Sequence, residues 1–406
     1  MDENKDTIFD SGDTSDISTN ELVQRQVQHS TIVNKTRKVL TKFYGVFVKH
    51  YSAKGRAKRK ILKTSPQPYI DLEVYKYNNM VRKYYKRPEL VISDPEHIKE
   101  FNILSFDGTK LNGLIYEPNP NSKKWIVLSH WFTGNKYWIT FHAKVFTKLG
   151  YNVVAIDFRG HGKSEENVTT LGVNETHDYI TAIRWLKKNR QIDELGLFGI
   201  SMGAFIVNFT ALKYSKELQE TNLKFVISDC GYVSVSKLVW HFSKKATWFV
   251  SKKRKVELFD KFIKRMDRSS TIIDDEIMSY KDINLFRFIK NKAASDPDFK
   301  LFPTMFFHSA DDKQTIHQET YEYVIKRSKY YKGHVDDQVK VFQSAPHTQS
   351  IRIHFKKYNE LIIDFLERLD LLTEEQKILA SETREEWKLT TYDANDKRDV
   401  KSKLLE

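Results

Sequence analysis

The feature that most constrains this chain is an alternation of strand-length apolar runs with helix-length amphipathic ones. KKWIVLSH (123–130) and YNVVAIDF (151–158) are near-continuous apolar runs, as strands buried on both faces require. Between them, NKYWITFHAKVFTKLG reads as a helix that closes on Gly150. The alternation continues through helix 174–188, strand 194–200, helix 202–213 and strand 224–229. It resumes with strand 301–309, helix 317–328, strand 339–344 and helix 351–369. This rhythm predicts an α/β fold, a mainly parallel sheet with helices on both faces. FNILSF and LNGLIYE flank Asp107-Gly108 and predict a hairpin that adds antiparallel strands at the start.

Outside that core the pattern changes. Residues 1–29 are polar and predict disorder. Over 31–51, Leu40, Phe43, Tyr44, Phe47 and Tyr51 recur at helical spacing with lysines between them. Residues 1–65 are therefore a polar, then basic, arm with a candidate amphipathic helix. A helical lead-in follows over 66–97, with a helix at 69–86 that stops before Pro88. The core divides into 98–230 and 301–372. Between them the strand rhythm stops, and 231–300 reads as an inserted helical cap. Residues 373–406 form a charged tail, a helix followed by a loose end.

Charge and cysteine content narrow the function classes. Residues 30–65 carry eleven Lys or Arg and no acid, whereas 1–22 carry seven acids and one Lys. Such asymmetry suggests a segment that touches something anionic. A basic amphipathic helix suits an anionic membrane surface through 31–63 and would equally suit packing against the protein's own core. The absence of any recognised module argues against nucleic acid. Cys230 is the single cysteine, which excludes an intrachain disulfide, leaves no Cys-based metal site and suits a reducing compartment. The start lacks an apolar core, so it is no secretory signal, and no apolar run reaches membrane-spanning length. The expected location is the cytoplasm, and the basic arm would allow association at the inner face of the membrane.

Chemistry concentrates at GLFGISMGAF (197–206), where Ser201 stands between Gly199 and Gly203 at the join of strand 194–200 and helix 202–213. This is the layout of a strained strand–turn–helix elbow that presents a nucleophile. A serine hydroxyl needs a base, and a histidine base needs an orienting carboxylate. The loop after strand 301–309 supplies Asp311 and Asp312, and the loop after strand 339–344 supplies His347. All three sites fall at the carboxyl ends of strands, where open α/β sheets build their sites. An oxyanion needs backbone N–H donors. Met202 follows the serine, and Phe132 lies in the loop after strand 123–130. His130 and His161 read as loop-shaping rather than proton-transferring residues.

The stretches SHWFTGNK, GYNVVAIDFRGHGKS, TTLGVNETHDYITAIRWL, LFGISMGA, VISDCGY, FFHSADD and SAPHTQS together resemble the α/β-hydrolase superfamily. The branch resembled is the serine aminopeptidase-like and monoacylglycerol-lipase-like one, with bacterial esterase/lipase-type members. The resemblance implies Ser201 as nucleophile, His347 as base, and Met202 and Phe132 as oxyanion donors. Its H-G-x-x-D pattern aligns with His308 to Asp312 and so selects Asp312 over Asp311. Two departures stand out. Trp131 and Ser309 occupy positions where the family carries glycine, and a Trp does not easily take glycine's positive φ.

The expected activity is hydrolysis of an ester of a small-molecule acyl substrate, with no cofactor and no metal. A serine aminopeptidase or thioesterase would use the same three residues. A different class, an interaction protein working through the basic arm, is the competing reading. Trp131, Trp240 and Trp248 are the aromatic candidates for contact with an acyl chain, alongside Phe242, Phe249, Phe259 and Phe262 of the cap.

Overall fold

The computed structural model describes residues 64–246, 251–267, 283–331 and 336–388. The basic arm through residue 63, with its candidate helix at 31–51, lies outside the described residues, as do Trp248, Phe249 and the tail beyond 388. Eight strands form one sheet: β1 (Ile98–Leu104), β2 (Lys110–Tyr116), β3 (Lys124–Ser129), β4 (Asn152–Ile156), β5 (Glu194–Ile200), β6 (Leu223–Asp229), β7 (Thr304–Ser309) and β8 (Gln338–Phe342). Their spatial order is β1-β2-β4-β3-β5-β6-β7-β8. β2 runs antiparallel to both neighbours, and every pair from β4 to β8 is parallel. Parallel strands need crossovers, and helices supply them.

The apolar runs are continuous because each strand feeds two cores. Along β3, Ile126 and Leu128 enter one buried cluster while Trp125 and Val127 enter the other. Along β4, Val153 and Ala155 take the first side, Val154 and Ile156 the second. Each side chain of this size removed from water stabilises by ~1.5–3 kcal/mol. A polar residue at any of these positions would lose that gain and leave an unpaired group inside.

Helix α1 (Gln67–Met80) lies on the first face, burying Ile70, Val74 and Tyr77 at helical spacing. The expected 69–86 helix gives way at Met80 to a five-residue π turn, Val81–Tyr85. Lys86, at φ 53, ends it ahead of Pro88. The stretch expected as one helix after β3 is two short ones, α2 (Lys136–Thr140) and α3 (Lys144–Lys148), joined by a 3₁₀ turn at Phe141–Ala143. On the second face stand α4 (Val173–Asn189) and α5 (Met202–Lys213), which is buried along nearly its whole length. The short α6 (Ser215–Gln219) leads into β6.

Between β6 and β7 come α7 (Val235–Ala246), α8 (Lys252–Asp267) and α9 (Leu285–Ser295). Val235, Val239, Leu285 and Ile289 root this insertion in a third apolar cluster shared with Phe205 and Phe209 of α5. α10 (His317–Ser328) bridges β7 to β8. The expected 351–369 helix is interrupted at His354 into α11 (Ser350–Ile353) and α12 (Phe355–Arg368). The tail contributes α13 (Glu374–Lys388), whose Trp387 is buried against Phe355. Among the described residues no helix is long and apolar enough to cross a membrane.

Candidate active site

Ser201 stands between β5 and α5 with φ 56 and ψ −114, a conformation that costs a non-glycine residue ~1–3 kcal/mol. The fold holds it there from below. The Ser201 N–H donates to the carbonyl of Asp229, the last residue of β6, at 2.8 Å. The flanking glycines are a steric requirement. A Cβ on Gly199 would lie 2.2 Å from the Gly203 carbonyl oxygen, and one on Gly203 would lie 1.9 Å from that of Ser129. The bare Cα of Gly203 lets the start of α5 press against the backbone of residues 129 and 130. That contact brings the loop after β3 beside Met202, the first residue of the helix, whose first-turn N–H groups have no intrahelical partner.

Ser201, His347 and Asp312 come together. The Ser201 hydroxyl donates to His347 Nε2 at 2.8 Å, and His347 Nδ1 donates to Asp312 Oδ2 at 2.6 Å. The Asp312 carboxylate has no exposed surface, and His347 keeps a tenth of its side chain accessible. Asp312 Oδ1 accepts the N–H groups of Gln314 and Thr315, and Oδ2 also accepts the Thr315 hydroxyl. Burial by itself would raise this carboxyl. The His347 bond and charge, with further help from His308, hold it well below the usual range instead. Asp311 is exposed, and its backbone N–H donates to Ser309 Oγ at 3.3 Å.

The two departures from glycine have physical explanations. Trp131 is not among the described residues with positive φ. The left-handed position in its loop falls on Thr133, at φ 73. The Thr133 N–H donates to His161 Nε2 at 3.2 Å, while the Phe158 N–H donates to His130 Nε2 at 3.1 Å. The two histidines thus pin this loop and the one after β4 to each other. Ser309 Oγ accepts the N–H of Ala345, two residues before His347, at 3.1 Å. It ties the loop carrying Asp312 to the one carrying His347. Among the described residues, four of the eight non-glycine ones with positive φ, Thr133, Ser201, Cys230 and Thr348, sit in these strand-end loops.

The aromatic candidates are less directly placed. The half-buried Trp131 ring packs near Trp138 and His142 and against the first core. The half-buried Phe132 ring meets His161 edge-on at 5.8 Å. Trp240 packs edge-on against Phe259 at 5.1 Å, a pairing between two cap helices. Cys230, Asp312 and His347 offer ligand-type atoms within 4.8 Å of one another, so a lone thiol does stand among groups able to hold a metal. The Asp312 and His347 atoms already bond each other, however, and burial pushes the thiol well above its ordinary value.

Several residues at this site carry no sequence motif of their own. Asp229 supports the serine through its backbone, while its buried carboxyl accepts the Tyr358 hydroxyl at 2.9 Å. His308 Nε2 lies 3.5 Å from Asp312 Oδ2, and His308 Nδ1 bonds Thr320. Both lie in stretches that carry the family resemblance, VISDCGY and FFHSADD, but nothing in those stretches tells that Asp229 supports the serine or that His308 faces the acid.

Burial makes the fold sensitive to acid. It pushes His130 and His308 down to about 4, and His142 well below its ordinary value. Between the ordinary histidine pKa near 6.5 and about 4, the unfolded chain binds these protons and the folded one does not, so stability falls as pH drops. Burial pushes Asp229 up to about 6. Its contribution has the opposite sign, present at low pH and lost as pH rises through about 6, and the raised Glu175 and Glu319 add to it. Three histidines outweigh these carboxyls. Acidifying from pH 6.5 to 4 is expected to remove a net stability on the order of a few kcal/mol. Thermal melts across that range check it, and a midpoint that holds or rises contradicts it.

Over residues 107–286 the chain matches the family model described as X-Pro dipeptidyl-peptidase (S15 family). That span includes Ser201 and stops short of Asp312 and His347. An uncharacterized 31.7 kDa protein of the traX-finO intergenic region of Escherichia coli is 30% identical over 118 residues, 28% of this chain and 39% of that protein. A probable dipeptidyl-aminopeptidase B of Pyrenophora teres f. teres is 30% identical over 171 residues, 38% of this chain and 18% of that protein. The chain thus spans about two fifths or less of the length of these curated relatives. The esterase Pf2001 of Pyrococcus furiosus, in its P212121 crystal form, superposes with a TM-score of 0.50 at 22% identity, covering 67% of this chain and 91% of that one. The shared element is the fold: a mostly parallel eight-stranded sheet with helices around it.

Proposed function

We propose that this chain, an enzyme of the α/β-hydrolase superfamily and of serine-hydrolase type, cleaves carboxylic esters through a covalent acyl-enzyme. One observation carries the reading: the unbroken relay from the Ser201 hydroxyl to His347 Nε2, and from Nδ1 to Asp312. Ser201 Oγ would attack the ester carbonyl while His347 takes its proton. The oxyanion would be bound by the N–H groups of Met202 and Phe132, at the positive end of α5. His347 would return the proton to the leaving alcohol, and water would then release the acid by the reverse route. Asp312 would keep the imidazole in the tautomer that leaves Nε2 free to accept. Trp131 and Trp240 are the candidates for acyl-chain contact among the described residues.

A second reading, favoured by the S15 family match, is cleavage of the amide after an X-Pro dipeptide by the same relay; a thioester would also suit it. A substrate panel separates them. Turnover is expected to be highest on p-nitrophenyl acyl esters, graded with chain length, and lower on Ala-Pro-p-nitroanilide and on an acyl thioester. Fluorophosphonate is expected to label Ser201. Preferential cleavage of the anilide would shift the assignment to a peptidase, and an unlabelled serine would overturn both readings.

A further inference from the structure

The hydrogen-bonded chain at the site does not stop at Asp312. His308, next to the last residue of β7, is fully buried, and its two ring nitrogens meet different partners. Nδ1 lies 2.9 Å from Oγ1 of Thr320, in the first turn of α10. Nε2 lies 3.2 Å from Oγ1 of Thr315 and 3.5 Å from Asp312 Oδ2. Both threonines are buried as well. Asp312 Oδ1 is tied to the backbone N–H groups of Gln314 and Thr315, which survive any side-chain substitution. Oδ2, the oxygen that meets the imidazole, faces side chains instead: His347 at 2.6 Å, the Thr315 hydroxyl at 2.8 Å, and His308 behind it.

Counting protons fixes the direction of each bond. Burial pushes His308 down to about 4, so near neutral pH its ring is uncharged and carries a single N–H. Asp312, held well below the usual carboxylate range by the His347 bond and charge despite its burial, is ionised and only accepts. A lone pair on Nε2 would be repelled by that carboxylate across a water-free gap, whereas an N–H there is attracted to it. Nε2 is therefore assigned the proton, which points at Thr315 Oγ1 and Asp312. Nδ1 is left as an acceptor, and the Thr320 hydroxyl donates to it. The one Thr315 hydroxyl proton then goes to Asp312, the charged and nearer of its two acceptors, the other being the Cys230 carbonyl at 3.1 Å.

We infer that His308, fixed in one tautomer by Thr320, is a positioning residue for the acid: acting through the Thr315 hydroxyl, it holds Asp312 Oδ2 against His347 Nδ1. The inference rests on the serine-hydrolase reading above and extends it to two groups that touch no reacting atom. Thr320 is the informative position. Without its hydroxyl the His308 proton is free to move to Nδ1, and the lone pair this leaves on Nε2 then faces the carboxylate and turns the Thr315 proton away from it.

Two readouts on the full chain test this: steady-state kinetics on a p-nitrophenyl acyl ester, and the low-field proton resonance of the His347–Asp312 bond. T315V is expected to lower kcat about tenfold, the cost of one hydrogen bond to a charged group, with KM within about twofold. T315S keeps kcat within about threefold. T320V is expected to lower kcat about three- to fivefold and to shift the resonance, although this side chain contacts none of Ser201, His347 and Asp312; T320S restores both. H308Q keeps a donor near the Nε2 position and is expected to retain at least about fivefold more kcat than H308M, which has none. A role in packing alone reverses that order, because a buried Met is the milder change. Equal kcat in H308Q and H308M, or T320V with kcat and resonance both at wild-type values, would overturn the inference. The resonance needs no substrate, so it decides the matter even if no ester is turned over, a failure that would count against the hydrolase reading alone.

Discussion

Ser201→Ala is expected to lower kcat on a p-nitrophenyl acyl ester by roughly five to six powers of ten, leaving only the residual turnover that binding and oxyanion donors supply. The expectation follows from the relay. Without Oγ no acyl-enzyme forms, and His347 loses the group from which it takes a proton. The fold should survive, because the Ser201 backbone rather than its hydroxyl carries the bond to Asp229. Stability adds an independent check. Alanine keeps the strained φ of 56, whereas Ser201→Gly relieves it and is expected to stabilise the fold by about 1 kcal/mol after the extra unfolded-state entropy of glycine. Steady-state kinetics and thermal melts on the two variants read these effects. Near-normal turnover in Ser201→Ala would remove the nucleophile from the proposed mechanism.

Asp312→Asn is expected to cost about four powers of ten in kcat, with little change in KM. The asparagine fits the same fully buried space and can keep the N–H bonds from Gln314 and Thr315. Its amide would face His347 Nδ1 with a donor, however, turning the ring to the tautomer whose Nε2 carries a proton and cannot accept one from Ser201. Asp311→Asn should change kcat by less than about twofold, since its side chain is exposed and surface changes away from special features are nearly neutral. Comparing the two neighbours separates a relay role from general electrostatics. Equal losses would point to the latter, and a larger loss at Asp311 would reassign the acid.

Much of this is legible in the sequence alone. The strand runs are apolar throughout because both faces of the sheet are covered, and that property marks a parallel α/β sheet in one dimension. The elbow is legible because a serine on a strained turn, with a helix packed close behind it, tolerates only small neighbours. Trp131 shows the limit. Read alone, a Trp in a glycine position implies a loop under strain, yet the left-handed conformation falls on Thr133, where His161 takes its N–H. Which residue of a short loop carries the unfavourable φ depends on hydrogen bonds from another loop entirely. Helix breaks at Phe141–Ala143 and His354 were equally hidden, because local periodicity does not register the packing that interrupts it.

Asp311 and Asp312 mark the same boundary at the site. Adjacent carboxylates in one loop are chemically equivalent by composition, and only a resemblance to other chains favoured the second. Tertiary structure gives a physical reason: a turn of backbone N–H groups, the Thr315 hydroxyl and the buried His308 ring enclose Asp312, while Asp311 faces water. Sequence by itself determined the alternation of elements, the elbow and the strand ends from which functional groups would project, since these follow from periodicity and steric size within short segments. The choice of acid, the buried Asp229 beneath the serine and the seat of strain in the loop after β3 were decided only by the folded chain. Each depends on groups far apart in sequence meeting in a water-excluded space, where a hydrogen bond made or missed is worth several times what it is in solution.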